Sequence, residues 1–268
     1  MIEVVNTSFY YEQTHVLFKD LSLTVKEGET LAVLGVNGAG KTTFIKCLMG
    51  FQKFKTGYMC IDGTQAQTLS LTDFWKRISY VPQAKHTSFG YSVTEMVVMG
   101  LSPYIAMGNT PTKGDYLKAR DMIDQMGLAG IAKRPCNQIS GGQLQMVLIA
   151  RALVKKPKVL IMDEPESNFD MKNQLMVLEI IKWLNKQKLT IIINTHFPAH
   201  ALRVAEQTLI IGQNEHVIGQ TEHIISEHNL EKYFGVQSEM ISSSKSGRTV
   251  SGILPTELVH PMKLDSIS

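Results

Sequence analysis

The chain has 268 residues, of which 44% are hydrophobic and 19% are charged, so it is long enough to bury a large core in one domain or two. Its formal net charge of +3 comes from scattered lysines and arginines. Because the sequence has no basic run, neither nucleic acid nor an anionic membrane surface is indicated as a partner.

The cysteines and the apolar segments indicate the compartment. Cys47, Cys60 and Cys136 are odd in number and form no CxxC pair, which favours reduced thiols of the cytosol over a disulfide framework or a zinc site. The N-terminal residues lack a signal-peptide pattern, and no segment reaches ~18 consecutive apolar residues. We therefore expect neither a secreted protein nor an integral membrane protein.

The first sixty residues predict a β-rich region. Leu21–Val25 alternates in polarity, Lys26–Glu29 has the composition of a turn, and Tyr58–Ile61 leads into a second turn at Asp62-Gly63. The short apolar run Thr30–Leu34 predicts a further strand within this region.

A glycine-rich run follows that strand and precedes a helical pattern that Gly50 ends. Gly35-Val36-Asn37-Gly38-Ala39-Gly40-Lys41-Thr42 fits the phosphate-binding pattern GxxxxGKT in full. Its glycines let successive N–H groups point at phosphate oxygens, and the next helix directs its positive end to the same place. Lys41 would contact the β and γ phosphates, and Thr42 would supply a hydroxyl to Mg²⁺. The alternative is a plain glycine-rich turn.

Helical periodicity dominates from about Ser92 to Val154, after the predicted strand Ile78–Val81, and predicts an inserted helical subdomain. Ser92 and Glu95 have the spacing of a capping box, and we expect Gly100 to close that first helix.

Two more helices are predicted in this subdomain. Gly108–Gly114 predicts a loop, and the Met-rich amphipathic pattern after it ends at Gly127. Ile139-Ser140-Gly141-Gly142-Gln143 opens the next helix, where a hydroxyl, exposed N–H groups and the helix dipole would form a second phosphate-binding device. The alternative is a simple helix N-cap.

Alternation of strand and helix resumes at Val159. Strands Val159–Met162 and Thr190–Ile193 flank a helix, which predicts a parallel sheet covered by helices. Thr208–Ile211 and His216–Ile218 predict a late hairpin. Beyond about Gly235 the sequence is Ser-rich and weakly patterned, which predicts a poorly ordered tail.

Two adjacent carboxylates, Asp163 and Glu164, follow the strand Val159–Met162 at its carboxyl end, where ligands of parallel sheets bind. Asp163 would hold Mg²⁺ through water, and Glu164 would polarise the water that attacks the γ-phosphorus. The alternative is a pair of solvated acids at a strand end.

With these motifs in this order and spacing over residues 1–220, the chain resembles the ATP-binding cassette subunit of an ABC transporter. The resemblance implies an α/β fold: a P-loop NTPase core with a mainly parallel sheet, an N-terminal antiparallel β subdomain and a helical subdomain inserted at about 88–155. It places the ATP-binding domain at 1–235 and a C-terminal tail at 236–268.

The resemblance also implies an activity and partners. It implies hydrolysis of ATP with Mg²⁺ by a homodimer that forms in the ATP-bound state. It places the chain peripherally on the cytoplasmic face of the membrane, bound to permease subunits and indirectly to a substrate-binding protein, with no nucleic acid.

The resemblance assigns a role to each matching residue. Tyr11 matches the aromatic that stacks on adenine, with Tyr10 as the competing choice. Gln83 matches the glutamine that senses Mg²⁺ and the attacking water and couples to the permease. The implied nucleotide contacts are Tyr11, Gly35, Asn37, Gly38, Ala39, Gly40, Lys41, Thr42 and Thr43, with Ser140, Gly141, Gly142, Gln143 and Asp170 at the dimer seam; the implied Mg²⁺ ligands are Thr42, Gln83 and Asp163.

His196 matches the switch histidine that contacts the γ-phosphate. It stands four residues before His200, as in a zinc-binding helix, but Phe197 replaces the catalytic Glu of that motif and Pro198 limits the helix. The chain departs from the usual family sequence at Glu166, where Thr is common.

The segment Gly90–Tyr104 resembles importers of iron-siderophore, haem, cobalamin and related metal chelates, although Leu101 stands where that group usually has Arg. The alternatives are an importer of zinc, manganese or molybdate, or a non-transport ABC-type ATPase. A chromosome or DNA-repair ATPase would need a long coiled coil between the two phosphate-binding motifs. A tandem translation ATPase would need two cassettes, and a small P-loop kinase leaves Ser140–Gln143 unexplained.

Overall fold

The computed structural model describes residues 1–12, 16–84, 90–167, 169–245 and 248–259. The strands are β1 (Ile2–Tyr10), β2 (Val16–Val25), β3 (Thr30–Leu34), β4 (Thr56–Ile61), β5 (Thr64–Gln65), β6 (Ile78–Val81), β7 (Val159–Asp163), β8 (Thr190–Asn194), β9 (Gln207–Ile211), β10 (His216–Gln220), β11 (Val236–Lys245) and β12 (Arg248–Leu258). The helices are α1 (Lys41–Leu48), α2 (Leu71–Arg77), α3 (Val93–Val98), α4 (Lys113–Gln125), α5 (Gly141–Leu153), α6 (Met171–Lys186), α7 (Pro198–Val204), α8 (Thr221–Ile224) and α9 (Glu227–Phe234).

The main sheet, counted over the described residues, has six strands in the order β10-β9-β3-β8-β7-β6. The strands from β9 to β6 run parallel, and the edge strand β10 pairs antiparallel with β9. Helices cover both faces of a parallel sheet, which is why β3 and β8 are buried along their whole length. This confirms the predicted parallel sheet and the late hairpin of β9 and β10.

A second, antiparallel sheet has the order β2-β1-β4-β5 in the part of the chain that the structure describes. Its apolar side chains form one core cluster with α1 and one face of the main sheet. Phe18 of β2 meets Phe44 of α1 edge to face, with ring centroids 5.6 Å apart. The helix that follows the glycine-rich run is therefore fixed between two sheets, and the predicted antiparallel β subdomain is confirmed.

The helices α3, α4 and α5 lie between β6 and β7 in the chain and pack on the other face of the main sheet. The predicted capping box of Ser92 and Glu95 is present. Gly100, however, does not close α3. It lies inside a 3₁₀ helix, Met99–Tyr104, where an added Cβ would overlap the carbonyl oxygen of Arg151, so glycine is needed here for the close approach to α5.

The loop predicted over Gly108–Gly114 is two residues too long. The Thr112 hydroxyl accepts a hydrogen bond from the backbone N–H of Asp115, and the Asp115 carboxylate accepts one from the backbone N–H of Thr112. This capping box starts α4 at Lys113. The sequence prediction missed this capping box because the glycines, asparagine and proline around it are typical of a turn.

The segment after Gly235 is a hairpin, so the prediction of a poorly ordered tail is wrong for Val236–Lys245 and Arg248–Leu258. The strands pair along nearly their whole length, and Ile253 packs against the main core. A Ser-rich strand held by backbone pairing lacks the apolar alternation on which sequence reasoning depends. Residues 260–268 of the predicted tail lie outside the described part.

Cys47, Cys60 and Cys136 are free thiols and all three are buried. Burial raises the pKa of the Cys47 thiol to about 12. No helix in the described ranges is both long enough and apolar enough to cross a bilayer.

Candidate active site

The phosphate-binding run connects β3 to α1, as predicted. Gly35 has φ 143°, and an added Cβ there would overlap the carbonyl oxygen of Ile211, so the run begins where the backbone touches β9. Gly40 has φ 107° and precedes the first residue of α1 without a capping side chain. The first N–H groups of a helix have no partner within the helix, so those of α1 are available to an anion held by the loop.

Lys41 occupies the centre of this loop and is 5% exposed. Its Nζ donates to the carbonyl oxygens of Gly35 and Val36, at 2.7 and 2.9 Å. An ammonium group has three donors, so one remains for a ligand. Burial lowers the pKa of Lys41, and the nearby carboxylates of Glu164 and Asp163 oppose that shift.

Asp163 is the last residue of β7 and lies beside Asn194, the last residue of β8, in the sheet register. Asn194 Nδ2 donates to Asp163 Oδ1 at 2.6 Å, and the Tyr80 hydroxyl donates to Asp163 Oδ2 at 3.2 Å. These two contacts fix the plane of the carboxylate and leave further lone pairs for a hydrated cation.

Glu164 has different hydrogen-bond partners from Asp163. Its φ of 47° is in the left-handed region, which is uncommon for a residue with a Cβ and is typical of functional turns. Its Oε2 accepts from Ser167 Oγ at 3.0 Å and from Gln83 Nε2 at 3.4 Å, and its Oε1 contacts His196 Nε2. The structure thus brings all three predicted catalytic residues, Gln83, Glu164 and His196, into one hydrogen-bonded group.

Two adjoining pockets open onto this group. One has a volume of about 300 Å³ and is lined by the phosphate-binding run together with Tyr11, Leu17, Glu164 and His196. The other, of about 730 Å³, adds Gln83, Ser167 and the far side of the same run. A phosphate bound at Lys41 would therefore lie next to the Glu164 carboxylate.

Tyr11 stands at the rim of the smaller pocket and is 59% exposed. Its hydroxyl shares a hydrogen bond of 3.2 Å with Thr43 Oγ1, so its ring can offer a face to a base. The competing candidate, Tyr10, has Lys55 Nζ 5.5 Å from its ring centroid and does not line this pocket. The position of Tyr11 fits the predicted adenine contact better.

The Ser140 turn does not line either pocket within this chain. Ser140 and Gln143 form a reciprocal capping box at the start of α5. Asp170 caps α6 by accepting from the Asn173 backbone at 2.8 Å, and a Cβ on Gly142 would lie 2.8 Å from the Asn173 side chain. Ser140–Gln143 and Asp170 therefore lie near each other, and neither lines the Lys41 pocket of the same copy.

The donor set fits Mg²⁺. Thr42 offers an exposed hydroxyl, Gln83 an amide oxygen and Asp163 a carboxylate, all of them hard oxygen ligands. Mg²⁺ usually keeps several waters and takes phosphate oxygens from its nucleotide, so few protein ligands suffice. The two histidines of the zinc alternative have different carboxylate partners: His196 contacts Glu164, while His200 Nδ1 lies 3.4 Å from Glu166.

Sequence reasoning missed Tyr80, Asn194 and Ser167, which hold the two acids in place. Asn194 left a signal, because a polar residue that ends an apolar parallel strand lies at the edge where ligands bind. Tyr80 left none, since an aromatic residue in a strand is ordinarily part of the core.

Known proteins are similar to this chain over most of its length. Residues 18–167 match the family model described as ABC transporter. The molybdate import ATP-binding protein MolC of Haemophilus influenzae is 34% identical over 234 residues, which are 87% of this chain and 87% of that protein. A protein of Helicobacter pylori named for iron chelatin transport is 31% identical over 245 residues, 90% of this chain and 95% of that protein.

A solved structure described as a metal-chelate type ABC transporter in an inward-facing conformation superposes with a TM-score of 0.86. It is 31% identical in sequence and covers 96% of this chain and 97% of its own.

Replacing Lys41 with alanine removes the buried charge at the centre of the loop, so ATP binding and hydrolysis should both be lost. Lys46→Ala is the matched control, because Lys46 is an exposed lysine on the same helix. Binding is measured with a fluorescent ATP analogue and turnover by phosphate release. Turnover near the parental rate in Lys41→Ala would show that this loop is not the active one.

Proposed function

The chain belongs to the ABC transporter family as the ATPase subunit of an importer, and we propose that the importer carries a metal chelate. The arrangement that supports the catalytic part is the meeting of Lys41, Glu164 and His196 at one pocket. The metal-chelate part is supported by the whole-chain superposition and by the Helicobacter pylori relative. Molybdate is the second candidate, because the molybdate import protein is similar over nearly the same length.

In the proposed mechanism the phosphate-binding run and Lys41 hold the β and γ phosphates, and Tyr11 stacks on the adenine. Thr42, Gln83 and Asp163 would hold Mg²⁺, which supplies charge neutralisation to the transferred phosphoryl group. Glu164 takes a proton from a water molecule as the water oxygen attacks the γ-phosphorus. The bond between the γ-phosphorus and the oxygen that remains with ADP breaks. His196 contacts the γ-phosphate from the side of Glu164.

The proposed active species is a two-fold homodimer closed around ATP. Within one copy the Ser140–Gln143 turn lies away from the Lys41 pocket, so a nucleotide there lacks the second phosphate-binding device. A two-fold seam would place the Ser140 turn of each copy over the Lys41 pocket of the other. The Ser140–Gln143 turn and Asp170 would then both lie in the dimer interface.

The proposed contact with the permease is an apolar groove between α2 and the 3₁₀ helix Met99–Tyr104. Its volume is about 570 Å³, and its lining includes Phe51, Leu71 and Trp75. Leu71 is 76% exposed, and large exposed apolar side chains in one groove are typical of an interaction surface. The groove borders β6, which leads directly into Gln83. A change at the nucleotide that moves Gln83 would therefore also move the edge of the groove.

Glu164→Gln should bind ATP and fail to hydrolyse it. The amide keeps the volume and hydrogen-bonding atoms of the side chain but cannot take a proton, which costs ~10²-fold to 10⁴-fold in rate. The measurement is ATP retained per chain after rapid gel filtration, together with phosphate release. Glu179→Gln, the same change at an exposed acid of α6, should behave as the parent. Parental turnover in Glu164→Gln would exclude Glu164 as the base.

The substrate is tested in the complex that co-purifies with this chain in detergent and is then reconstituted with its binding protein. A ferric chelate should stimulate ATP hydrolysis and molybdate should not. If molybdate stimulates ATP hydrolysis and the ferric chelate does not, the transported substrate is molybdate and the metal-chelate proposal is wrong.

The same complex tests the groove. Leu71→Glu should abolish the stimulation and retain basal hydrolysis, because a charge enters the apolar groove away from the nucleotide. Leu117→Glu, at an exposed position of α4, is the control and should remain stimulated. Equal stimulation of both variants would reject the groove as the contact.

A further inference from the structure

Glu166 is a buried acid that the proposed mechanism does not use. It lies two residues beyond Glu164 and is 0% exposed. Its Oε1 accepts from the Thr195 hydroxyl, and its Oε2 is buried without a hydrogen-bond partner among the described residues. An unpaired buried oxygen costs free energy, so stability alone does not account for an acid at this position.

Thr195 connects Glu166 to the backbone around His196. Its hydroxyl donates to Glu166 and accepts from the backbone N–H of Phe197 at 3.1 Å. Thr195 is itself fully buried, and its own N–H donates to the carbonyl oxygen of Val33 in β3 at 3.1 Å. The residues on both sides of His196 are thereby linked to one carboxyl group.

His200 adds a third link. Its Nδ1 lies 3.4 Å from Glu166 Oε1, and its ring packs against the Phe197 ring with centroids 4.7 Å apart. His200 lies in the first turn of α7, the helix that follows His196. The start of that helix therefore faces the same carboxyl group.

Glu166 also shares a tight turn with Glu164, in which the Ser167 N–H donates to the Glu164 carbonyl oxygen at 3.1 Å. The Glu164 side chain contacts His196 on the pocket side of this turn. The two loops that carry the proposed base and the proposed switch histidine are thus joined both at the pocket and in the core behind it.

We propose that Glu166 is a positioning residue whose carboxyl group, by accepting from Thr195 and contacting His200, fixes His196 relative to Glu164. We call Glu166, Thr195 and His200 the rear clamp. These three residues line neither of the two pockets and act through the loop of His196. The proposal rests on the roles proposed above for Glu164 and His196. A displacement of 1 Å in reacting groups can cost ~10²-fold in rate, so the clamp affects turnover more than binding.

Thr195→Val tests the clamp with an isosteric change that removes both hydrogen bonds of the hydroxyl. We expect kcat to fall ~10-fold or more while the KM for ATP changes less than ~2-fold, because the binding loop is untouched. The matched control is Thr208→Val in β9. Thr208 is equally buried, and its hydroxyl shares a hydrogen bond of 2.9 Å with Thr221, away from the pocket. Thermal unfolding of each full-length variant establishes the folded fraction to which kcat is referred.

Two variants of Glu166 separate hydrogen bonding from filling of space. Glu166→Gln keeps an acceptor oxygen and should stay within ~3-fold of the parental kcat, whereas Glu166→Leu should fall as far as Thr195→Val. Combining Glu166→Leu with Thr195→Val should add no further loss, since both remove the same link. If Glu166→Leu does not fold, Thr195→Val and its control decide the question.

The proposal is overturned if the kcat of folded Thr195→Val is parental, or if Thr208→Val loses as much kcat as Thr195→Val. It is also overturned if the kcat of Glu166→Gln falls as far as that of Glu166→Leu. Glu164→Gln is assayed in parallel to distinguish the two proposals. Turnover by Glu164→Gln would contradict the proposed base, whereas an inactive Glu164→Gln with a parental Thr195→Val would reject the clamp alone.

Discussion

The structure depends on the parallel order of β3, β8 and β7. Parallel strands end at one edge of a sheet, so this order places the loop after β3 beside the acids after β7. Lys41 is buried at that edge, which lowers its pKa, and Glu164 and Asp163 are close enough to oppose the shift. A bound phosphate would add negative charge on the remaining side of the ammonium group. The strand order thus places Lys41 between the two carboxylates and the position of a bound phosphate, where it can balance their negative charges.

The sequence predicted the elements of this edge well because their patterns are local. The strands Thr30–Leu34 and Ile78–Val81 were predicted with their observed bounds, since buried parallel strands are short apolar runs. Glycine spacing likewise predicted the phosphate-binding run. The Ser-rich hairpin after Gly235 was missed because backbone pairing and contacts with the rest of the fold, including that of Ile253 with the core, hold it, and neither produces a periodic pattern.

The contacts that orient the acids were the least predictable part of the site. Tyr80 and Asn194 approach Asp163 across the sheet, and Glu166 contacts a threonine 29 residues away. Such pairs depend on which strands become neighbours, which the order along one chain does not specify. Glu166 was nevertheless visible as a departure from the residue common at its position, and the structure shows that it is buried against the loop of His196.

A single copy holds the two predicted phosphate-binding devices apart, and we propose that a second copy completes each site. Light scattering on Glu164→Gln tests this most directly, because that variant should bind ATP without consuming it. With saturating ATP and Mg²⁺ we expect twice the monomer mass, and without nucleotide a monomer or a weak, concentration-dependent dimer. A mass that stays monomeric with nucleotide at every protein concentration would contradict it.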